Sequence, residues 1–499
     1  MRLDARIVRK FSAALKERKV FDLAENLVKK FSKAEVFLVG GAVRDIILDR
    51  PLKDIDILAR GVRMADLQKA LGKLGKVGLA GERFGVLKFS PRTGGSLFHQ
   101  IDIALPRTDF SFSTGVYKDF EVKYDPGLPV EKDLGRRDFT INAMAYDVAH
   151  GRLIDPFGGL PDLKRGIIRT VGRPEERFEE DYSRMLRAIR FAMQLGFKID
   201  AKTWSSIKKY IKRVNDSVSV NGRSERKVPY EVIAAEFLKS FSFAPAETIR
   251  MYDRAGALRV LMPEIFAMKK CGQPKEFHSE GNVLKHTLLA LKNLDSKLFR
   301  RYFGGPVALT TKVAILLHDV GKQAAKKKIC GRVVFYNNDR MGADIAKKFL
   351  ERMKLSAPPE IGIYADEVVW LVENHLLFFY APPEAMRKTT LEKYLFHKNF
   401  SGRAHLELFL ADALATKPLR RPVDLKRFKS AHKLWKSLQE KKTEVPPKPL
   451  LDGNEAMKIL NIAPGPKVGK VLELLREEQL RGRIKDKKSA AQFLKKIEF

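Results

Sequence analysis

Cysteine, long apolar runs and acidic residues are all scarce in this 499-residue chain. Its two cysteines, Cys271 and Cys330, can form neither a disulfide framework nor a cysteine-based zinc site, which excludes a disulfide-stabilised secreted scaffold and fits a reducing cytosol. The apolar stretches, such as residues 313–317, fall far short of the ~20 residues that a bilayer span requires. The N-terminal residues are basic but lack the apolar core of a signal peptide, so we expect a cytoplasmic protein without a membrane segment.

The shortage of acidic residues leaves a large positive charge. The chain has 60 acidic against 95 basic residues, a net charge of +35 and a pI near 10.0. Such a balance predicts a polyanionic partner, and nucleic acid is favoured over a membrane surface because the charge is spread along the whole sequence and no lipidation motif is visible. The length predicts about three domains, and 44% hydrophobic residues are typical of globular proteins.

Hydrophobic periodicity predicts a mixed α/β domain followed by helical units. An amphipathic, basic segment at residues 6–32 is predicted to be a helix, and short apolar strand-like runs follow it. Beyond residue 156 the spacing becomes helical, with prolines between the helices. The predicted strands are 36–39, 55–58, 86–89, 101–103 and 120–122. The predicted helices up to residue 261 are 43–48, 181–195, 204–213, 232–241 and 246–261.

The rest of the chain is predicted to be helical as well. A second helical unit begins near residue 275, and a basic, proline-rich stretch at 443–449 marks a linker to a tail rich in lysine and arginine. We therefore expect an α/β head followed by a mainly α-helical remainder. The expected parts are an N-terminal helix (1–33), the head (34–160), a helical neck (161–268), a second helical domain (269–420) and a basic helical tail (421–499).

Two aspartates of the head, Asp54 and Asp56, alternate with isoleucines in the run Lys-Asp-Ile-Asp-Ile. The two-residue period of a strand puts both carboxylates on one face and the isoleucines on the other. Asp102 also lies between two isoleucines, so a neighbouring strand could bring it close to the first pair. Three carboxylates on a strand platform suit Mg²⁺, which takes oxygen ligands and keeps waters for a substrate phosphate. An exposed strand face with acids placed by chance is the alternative.

A two-glycine turn precedes these aspartates. Gly40 and Gly41 lie between a predicted strand and a predicted helix, where bare backbone N–H groups and a helix N-terminus can hold a triphosphate. Arg44 can add a bidentate phosphate contact. Any tight turn needs glycine, so a purely structural turn remains the alternative.

The strand, the glycine turn and the Asp-Ile-Asp run together resemble nucleotidyltransferases of the polymerase-beta type, and more closely the class II bacterial tRNA CCA-adding enzyme and poly(A) polymerase family. Residues 133–145, Asp-Leu-Gly-Arg-Arg-Asp-Phe-Thr-Ile-Asn-Ala-Met-Ala, are similar to that family's motif for gripping the sugar and phosphates of the nucleotide. Residues 155–159 resemble its hinge between head and neck. The resemblance implies that Asp54 and Asp56 hold magnesium and that Asp102 completes the catalytic set. It also implies nucleotide contacts from Arg137, Asp138 and Asn142.

The predicted helix at 181–195 carries a polar, cationic face, because Asp181, Arg184, Arg187 and Arg190 recur every three residues. A solvated basic face is the alternative. The run resembles the family's base-selecting motif, which implies that Asp181 and Arg184 pair with the incoming base while Arg187 and Arg190 help to hold the triphosphate. An aspartate acceptor beside a guanidinium donor can satisfy C or A, whereas U and G present mismatched groups. Tyr182 stands where a small residue or proline is common in the family.

A second metal site is predicted in the helical domain. His286, His318, Asp319 and Asp412 are spaced like the ligands of an HD domain, which implies a further divalent metal. Asn338 occupies a place where an extra histidine is frequent in such domains, while His375 is present. A single-metal site, a weak phosphohydrolase and a structural relic are the open alternatives. The segment 449–470 resembles the RNA-binding element that follows HD domains in this family, and a small packing module is its alternative.

The resemblance implies a template-independent RNA nucleotidyltransferase with tRNA, CTP and ATP as partners and Mg²⁺ as cofactor. The tRNA 3′-hydroxyl would attack the α-phosphate of CTP and then of ATP. Related poly(A) polymerases tend to carry a basic segment before the third carboxylate, whereas residues 81–87 here read Gly-Glu-Arg-Phe-Gly-Val-Leu, which resembles the CCA-adding branch. Residues 107–136 are long enough to hold the flexible loop that the resemblance associates with the switch from C to A. The first feature favours CCA addition over poly(A) addition, and the second favours it over CC-only addition. A poly(A) polymerase and a partial, CC- or A-adding enzyme are the alternatives. The alternative from another class is an HD phosphohydrolase whose head only binds RNA.

Overall fold

The computed structural model describes residues 5–17, 20–52, 54–80, 85–92, 101–117, 119–220, 222–356, 361–397, 399–420, 422–440, 449–480 and 482–496. The chain forms two compact units, Met1–Leu261 and Met262–Phe499. Among the described residues, no helix is both long and apolar enough to cross a membrane. Two segments used in the sequence analysis lie wholly or partly outside the described residues. They are the segment at 81–87, of which residues 81–84 are not described, and the predicted linker at 443–449, of which most is not described.

The first unit is built on a mixed seven-stranded sheet, which confirms the predicted α/β head. The strands of this unit's head are β1 (Glu35–Val39), β2 (Ile55–Arg60), β3 (Gly75–Ala80), β4 (Val86–Pro91), β5 (Ile101–Ala104), β6 (Arg107–Ser111), β7 (Phe120–Tyr124), β8 (Ala145–Asp147) and β9 (Arg152–Ile154). The order in the sheet is β3-β4-β5-β2-β1-β8-β9, and β2 and β5 run parallel whereas the other neighbours are antiparallel. A separate ribbon pairs β6 with β7.

Helices cover the sheet and then form a helical extension. Two-stranded pairs, β10 (Ile167–Ile168) with β11 (Lys198–Ile199) and β12 (Ser217–Val220) with β13 (Arg223–Arg226), lie between the later helices. The helices are α1 (Ala5–Glu17), α2 (Val20–Lys30), α3 (Gly41–Ile47), α4 (Met64–Leu74), α5 (Val130–Gly135), α6 (Gly159–Arg165), α7 (Pro174–Glu180), α8 (Ser183–Leu195), α9 (Ala201–Tyr210), α10 (Tyr230–Phe243), α11 (Pro245–Ala255) and α12 (Ala257–Leu261).

Three predicted helices differ from the structure. The predicted helix over 6–32 is two helices, α1 and α2, each of which buries one apolar face. The predicted helix over 246–261 is divided at Gly256, whose φ of 86° ends α11 in the left-handed conformation that glycine adopts without steric cost. The predicted helix over 181–195 begins at Ser183, because the Asp181 side chain accepts a hydrogen bond from the Ser183 N–H instead of continuing the helix.

The second unit is almost entirely helical. Its helix over Gly402–Ala415 is buried on all sides, whereas the last three helices share a small core of their own. One exposed ribbon pairs β14 (Lys327–Ile329) with β15 (Arg332–Val334). The helices are α13 (Pro263–Met268), α14 (Val283–Asn293), α15 (Lys297–Phe303), α16 (Leu309–Leu317), α17 (Lys322–Ala325), α18 (Asn338–Arg352), α19 (Ala365–Asn374), α20 (Leu377–Tyr380), α21 (Lys388–Leu395), α22 (Gly402–Ala415), α23 (Lys426–Glu440), α24 (Gly453–Leu460), α25 (Pro466–Leu480) and α26 (Lys487–Lys495).

Candidate active site and metal centre

The carboxylates of the head meet on the two parallel strands of the sheet. In the register of β2 and β5, Asp56 lies directly beside Asp102, and Asp54 immediately precedes β2. Ile55 and Ile57 are buried on the other face, as the alternation requires. Burial raises the pKa of Asp56, and the neighbouring Asp102 and Asp54 add to this effect against the opposing charge of Arg137. Clustered like charges of this kind are stabilised by a bound cation.

Burial also raises the pKa of Asp102, and the charge of Asp54 acts in the same direction. The opposing influence comes from Lys88, which the register of β4 and β5 places beside Asp102. The oxygen-rich donor set therefore fits a hard divalent cation, whose charge would oppose the burial and the like charges that raise the pKa of both aspartates.

The glycine turn lies against this carboxylate platform. Gly40 precedes α3 with φ 73°, and a Cβ placed there would lie 2.8 Å from Arg137 Nη1 and 3.4 Å from Asp56 Oδ2. The backbone, a guanidinium and a carboxylate therefore approach one another where no side chain fits. Arg137 Nε is buried and has no hydrogen-bond partner among the described residues. A basic group beside bare backbone at a helix start can hold a phosphate.

Arg44 points into the protein, where it begins a chain of polar contacts. Its Nη1 donates a hydrogen bond of 2.7 Å to Asn142 Oδ1, and Asn142 Nδ2 donates to Asp138 Oδ1 at 3.3 Å. Asp138 in turn accepts from Arg187 on α8. Burial raises the pKa of the Asp138 carboxyl, but Arg187 and the other donors outweigh this effect, so the net pKa lies below its usual range. These contacts connect the glycine turn to α8.

Arg190 completes the cationic face but is held by the protein itself. Its Nε donates to Glu236 Oε2 on α10 at 2.6 Å, and its guanidinium stacks 3.9 Å from the centre of the Phe191 ring. Glu236 also lies 3.8 Å from Arg187 Nη1. Both arginines predicted to hold the triphosphate therefore make ion pairs across α8 and α10.

The predicted base-reading pair lies where α7 passes into α8. Asp181 precedes the helix, and burial raises the pKa of its carboxyl even though the Ser183 hydrogen bond and Arg184 oppose the shift. Arg184 is on the first turn of α8, where its guanidinium pairs with Glu180 and donates to the Arg177 carbonyl. Asp181 and Arg184 are thus adjacent but each has a protein partner in this conformation.

The connection between β6 and β7 is fastened to the same region. The N–H of Gly115 donates to the Glu179 carbonyl at 2.7 Å, and the Tyr182 N–H donates to the Gly115 carbonyl at 3.2 Å. Lys227 Nζ donates to the Thr114 carbonyl at 2.8 Å. The residues that flank Asp181 therefore hold the connection that was predicted to contain the flexible loop.

The second unit brings the predicted HD residues together in its interior. His286 on α14, together with His318 and Asp319 after α16, has ligand atoms within 4.8 Å of one another. His286 Nε2 lies 2.9 Å from Asp412 Oδ1 on α22, and His318 Nε2 lies 3.3 Å from Asp319 Oδ2. All four side chains are at least nine-tenths buried. Two helices, α14 and α22, and the end of α16 thus converge on one point.

The donor set of this cluster fits a divalent metal. His318 Nε2 and His375 Nε2 are buried without a hydrogen-bond partner among the described residues, although His375 Nε2 is 3.7 Å from Asp319 Oδ1. The buried amide of Asn338 is also unpartnered at Nδ2. Burial lowers the pKa of His286, but its hydrogen bonds to Asp412 and Glu280 raise it to about 9. Imidazole nitrogens and carboxylates arranged around one point are typical ligands of a transition metal.

Several contacting residues were missed by the sequence analysis. Glu180, Glu236, Glu280 and Lys322 all pair with predicted site residues, and Lys322 Nζ lies 2.8 Å from Asp319 Oδ2. Lys322 follows Asp319 by three residues, across the turn between α16 and α17, and this short spacing could have identified it. Glu236 and Glu280 carry no such local signal, because they reach their partners through the tertiary fold.

Two family models match the chain. The Poly A polymerase head domain matches residues 36–169, and the HD domain matches residues 288–398. The multifunctional CCA protein of Neisseria gonorrhoeae is 35% identical over 346 residues, which cover 69% of this chain and 74% of that protein. The multifunctional CCA protein of Nitrosococcus oceani is 36% identical over 296 residues, which cover 58% of this chain and 63% of that protein.

Solved structures share the fold over nearly the whole length. The Bacillus stearothermophilus CCA-adding enzyme in complex with CTP aligns with a TM-score of 0.61 and 22% identity, over 95% of this chain and 96% of that chain. The Thermotoga maritima CCA-adding enzyme complexed with tRNA aligns with a TM-score of 0.56 and 22% identity, over 97% of both chains. On the identity and coverage of its relatives, this chain belongs to the bacterial family of tRNA nucleotidyltransferases (CCA-adding enzymes) and poly(A) polymerases with an HD domain.

Proposed function

We propose that this chain adds C, C and A to the 3′ end of tRNA, using CTP and ATP. The proposal is supported by relatives that are named multifunctional CCA proteins and by a shared fold with CCA-adding enzymes bound to CTP and to tRNA. The net charge of +35 suits a large RNA substrate, whose phosphates bind basic side chains.

One observation carries the proposal: Asp56 and Asp102 lie side by side on parallel strands, and Gly40 and Arg137 lie against Asp56. Asp54 and Asp56 would hold magnesium, and Asp102 would complete the set. Bound magnesium would neutralise charge on the reacting phosphates and activate the attacking hydroxyl. The chain's own part is to position the nucleotide, with bare backbone at Gly40 and Gly41 and the Arg137 guanidinium beside the phosphates.

We assign base selection to Asp181 and Arg184. The two residues are adjacent at the start of α8, and together they offer acceptors and donors that match C and A. To face a base, Arg184 has to exchange its contact with Glu180 for a contact with the nucleotide. Arg187 and Arg190 would support the triphosphate through the polar network that reaches Asp138, Asn142 and Arg44. Their own carboxylate partners keep these guanidinium groups in place before the nucleotide binds.

The test is incorporation into a tRNA that lacks its 3′ end, with Mg²⁺ and CTP, ATP or both, read at nucleotide resolution. Three added nucleotides that require both substrates would support the proposal. A ladder with ATP alone would indicate poly(A) addition, and a single A added only after CC would indicate a partial enzyme. We expect Asp54→Asn and Asp56→Asn to abolish incorporation while tRNA binding persists. Asp22→Asn, at an exposed position of α2, is the matched control and should keep full activity.

We propose a second activity, metal-dependent phosphohydrolysis, at the HD cluster. It is supported by the unpartnered, buried His318 Nε2 and His375 Nε2 beside Asp319. His286, His318, Asp319 and Asp412 would hold the metal, which would activate water for attack on a phosphate ester. We expect His318→Ala to abolish metal-dependent release of phosphate from a chromogenic phosphomonoester and to leave nucleotide addition unchanged. Phosphate release that survives this substitution would refute the assignment.

We also propose boundaries for the domains of the chain. We assign the nucleotidyltransferase head to residues 34–160, the neck to 161–268, the HD domain to 269–420 and an RNA-binding tail to 421–499. We place the protein in the cytoplasm, where uncharged tRNA and nucleotides are available. Limited proteolysis would test the boundaries, since exposed linkers are cut first.

A further inference from the structure

Glu280 lies beside the proposed HD metal centre but is not among its candidate ligands. It belongs to the loop that leads into α14, and its side chain is only 5% exposed. Its Oε1 is 2.7 Å from His278 Nδ1 and 2.8 Å from His286 Nδ1. Its Oε2 accepts a hydrogen bond of 3.1 Å from the backbone N–H of Lys417. Protein donors therefore occupy both oxygens of this carboxylate.

These contacts determine how His286 can bind a metal. Since the Glu280 carboxylate can only accept at Nδ1, that nitrogen carries a proton. The other nitrogen, Nε2, faces the cluster and lies 2.9 Å from Asp412 Oδ1. Metal-binding histidines commonly donate their second N–H to a carboxylate, which fixes the tautomer and the ring orientation. Glu280 is the carboxylate that accepts this second N–H, Nδ1–H, from His286.

A separate metal site at His278, Glu280 and His286 would be the alternative, since their ligand atoms also lie within 4.8 Å of one another. His286 would then have to bind two cations, one through each ring nitrogen, which requires the loss of both ring protons. The geometry instead places two Nδ1 atoms at hydrogen-bond distance from one carboxylate oxygen. Two N–H donors that share an acceptor explain this arrangement without a second cation.

The loop that carries Glu280 also connects two ligand-bearing helices. The Ser279 N–H donates to the Lys417 carbonyl at 2.9 Å, and the Lys417 N–H donates to Glu280 in return. Lys417 follows closely after α22, the helix that carries Asp412, whereas His286 is on α14. The Glu280 carboxylate therefore accepts hydrogen bonds both from the His286 ring and from the segment that follows Asp412.

We propose that Glu280 is a positioning residue of the HD centre, which holds His286 with Nε2 directed at the metal and fixes α14 relative to the end of α22. This inference rests on the metal centre proposed above. Loss of such an outer carboxylate typically lowers metal affinity 10- to 100-fold, by the general behaviour of metal sites.

The test is a Co²⁺ titration of the full-length chain carrying Asp54→Asn and Asp56→Asn, so that these head carboxylates do not compete. The d–d absorption of Co²⁺ reports both affinity and ligand geometry. Into this parent we introduce Glu280→Ala, Glu280→Gln and, as a matched control, Glu276→Ala. Glu276 has the same charge and lies in the same loop, but its side chain is exposed.

We expect Glu280→Ala to weaken Co²⁺ binding roughly 10- to 100-fold and to change the absorption band. The Co²⁺ affinity of Glu280→Gln should lie between those of the parent and of Glu280→Ala, because the amide oxygen can still accept a hydrogen bond from His286. Glu276→Ala should bind Co²⁺ as the parent does. Thermal midpoints within a few degrees of the parent would exclude misfolding. Affinities within twofold of the parent for both Glu280 variants, or an equal loss in Glu276→Ala, would overturn the role of Glu280. Absence of Co²⁺ binding in the parent would instead overturn the metal centre, and this assignment with it.

Discussion

Arg187 donates two hydrogen bonds to a single carboxylate oxygen of Asp138, from Nε at 2.9 Å and from Nη2 at 2.7 Å. The pair connects α8, at whose start the proposed base-reading residues lie, to the segment that carries the proposed nucleotide contacts. Asp138 is almost completely buried, so its charge depends on this partner, whereas about a third of the Arg187 side chain is exposed. The contact therefore joins two parts of the proposed site and contributes to stability.

Breaking this pair should destabilise the first unit. We expect Arg187→Ala to lower the free energy of unfolding by about 2 kcal/mol, because it leaves a buried carboxylate with fewer donors. Asp138→Ala combined with Arg187→Ala should cost less than the sum of the single changes, since neither partner is then left unpaired. Urea denaturation of the four proteins gives the coupling free energy. Strict additivity would show that the contact contributes nothing.

Gly115 should tolerate no side chain while Tyr182 is present. A Cβ at Gly115, whose φ is 73°, would lie 2.0 Å from Tyr182 Cε2. We expect Gly115→Ala to displace the connection between β6 and β7 and to lower kcat/KM for nucleotide addition at least 10-fold, because that connection is bonded to the residues flanking Asp181. Single-nucleotide incorporation of C and of A measures the effect separately for each base.

The matched control for this change is Gly172→Ala. Gly172 also has a positive φ, 69°, but a Cβ there meets nothing within 4 Å. Gly172→Ala should therefore strain the backbone without displacing the connection between β6 and β7. The double variant Gly115→Ala with Tyr182→Ala should regain part of the lost activity, since the clash is removed. If both glycine variants lose activity equally, backbone strain alone is responsible.

The head was predictable because its signals are local. The alternation of Asp54 and Asp56 with isoleucine indicated a strand with one acidic face, and the structure has that strand as β2. The placement of Asp102 depended on strand order, which a single sequence does not specify. The strand β3 went unpredicted because its glycines, such as Gly75 and Gly78, carry little strand propensity.

The partners of the site residues were not predictable in the same way. Glu236 meets Arg190 across two helices, and Glu280 meets His286 through a loop. Neither pair has a fixed spacing along the chain, so only the tertiary fold identifies it. Asp181 fits a helical spacing, yet its short side chain bonds to the Ser183 backbone and places it before the helix. Local hydrogen bonding prevailed over periodicity at this position.

Gly321 is expected to be essential for the HD centre on packing grounds. A Cβ there would lie 2.1 Å from the Asn338 carbonyl oxygen and 2.6 Å from the Gly342 N, and neither backbone atom can rotate away. We expect Gly321→Ala to push α18 outwards, to cost about 1–3 kcal/mol of stability, and to weaken metal binding. Gly272→Ala, where a Cβ meets nothing within 4 Å, is the control. Thermal melting and Co²⁺ titration of both variants measure these effects. A melting temperature and a Co²⁺ affinity that are unchanged in Gly321→Ala would contradict the proposed packing constraint at Gly321.

His405 should make the second unit sensitive to acid. Burial lowers the pKa of His405 to about 4, although its hydrogen bond to the Asn374 carbonyl opposes the shift. Because the folded state disfavours the protonated ring, the unfolded state binds more protons, and stability falls as the pH drops below the unfolded pKa of about 6.5 towards 4. This single group should remove about 2 kcal/mol between pH 7 and pH 5.

Urea denaturation at pH 7, 6 and 5, followed by tryptophan fluorescence, measures this loss. We expect His405→Phe to be less stable at pH 7, since the Asn374 carbonyl loses its donor, yet to have a shallower dependence on pH. His397→Phe changes a partly exposed histidine of the same unit and should keep the slope of the unsubstituted protein. Because the phenyl ring cannot take up a proton, an unchanged slope in His405→Phe would show that other buried groups cause the acid sensitivity.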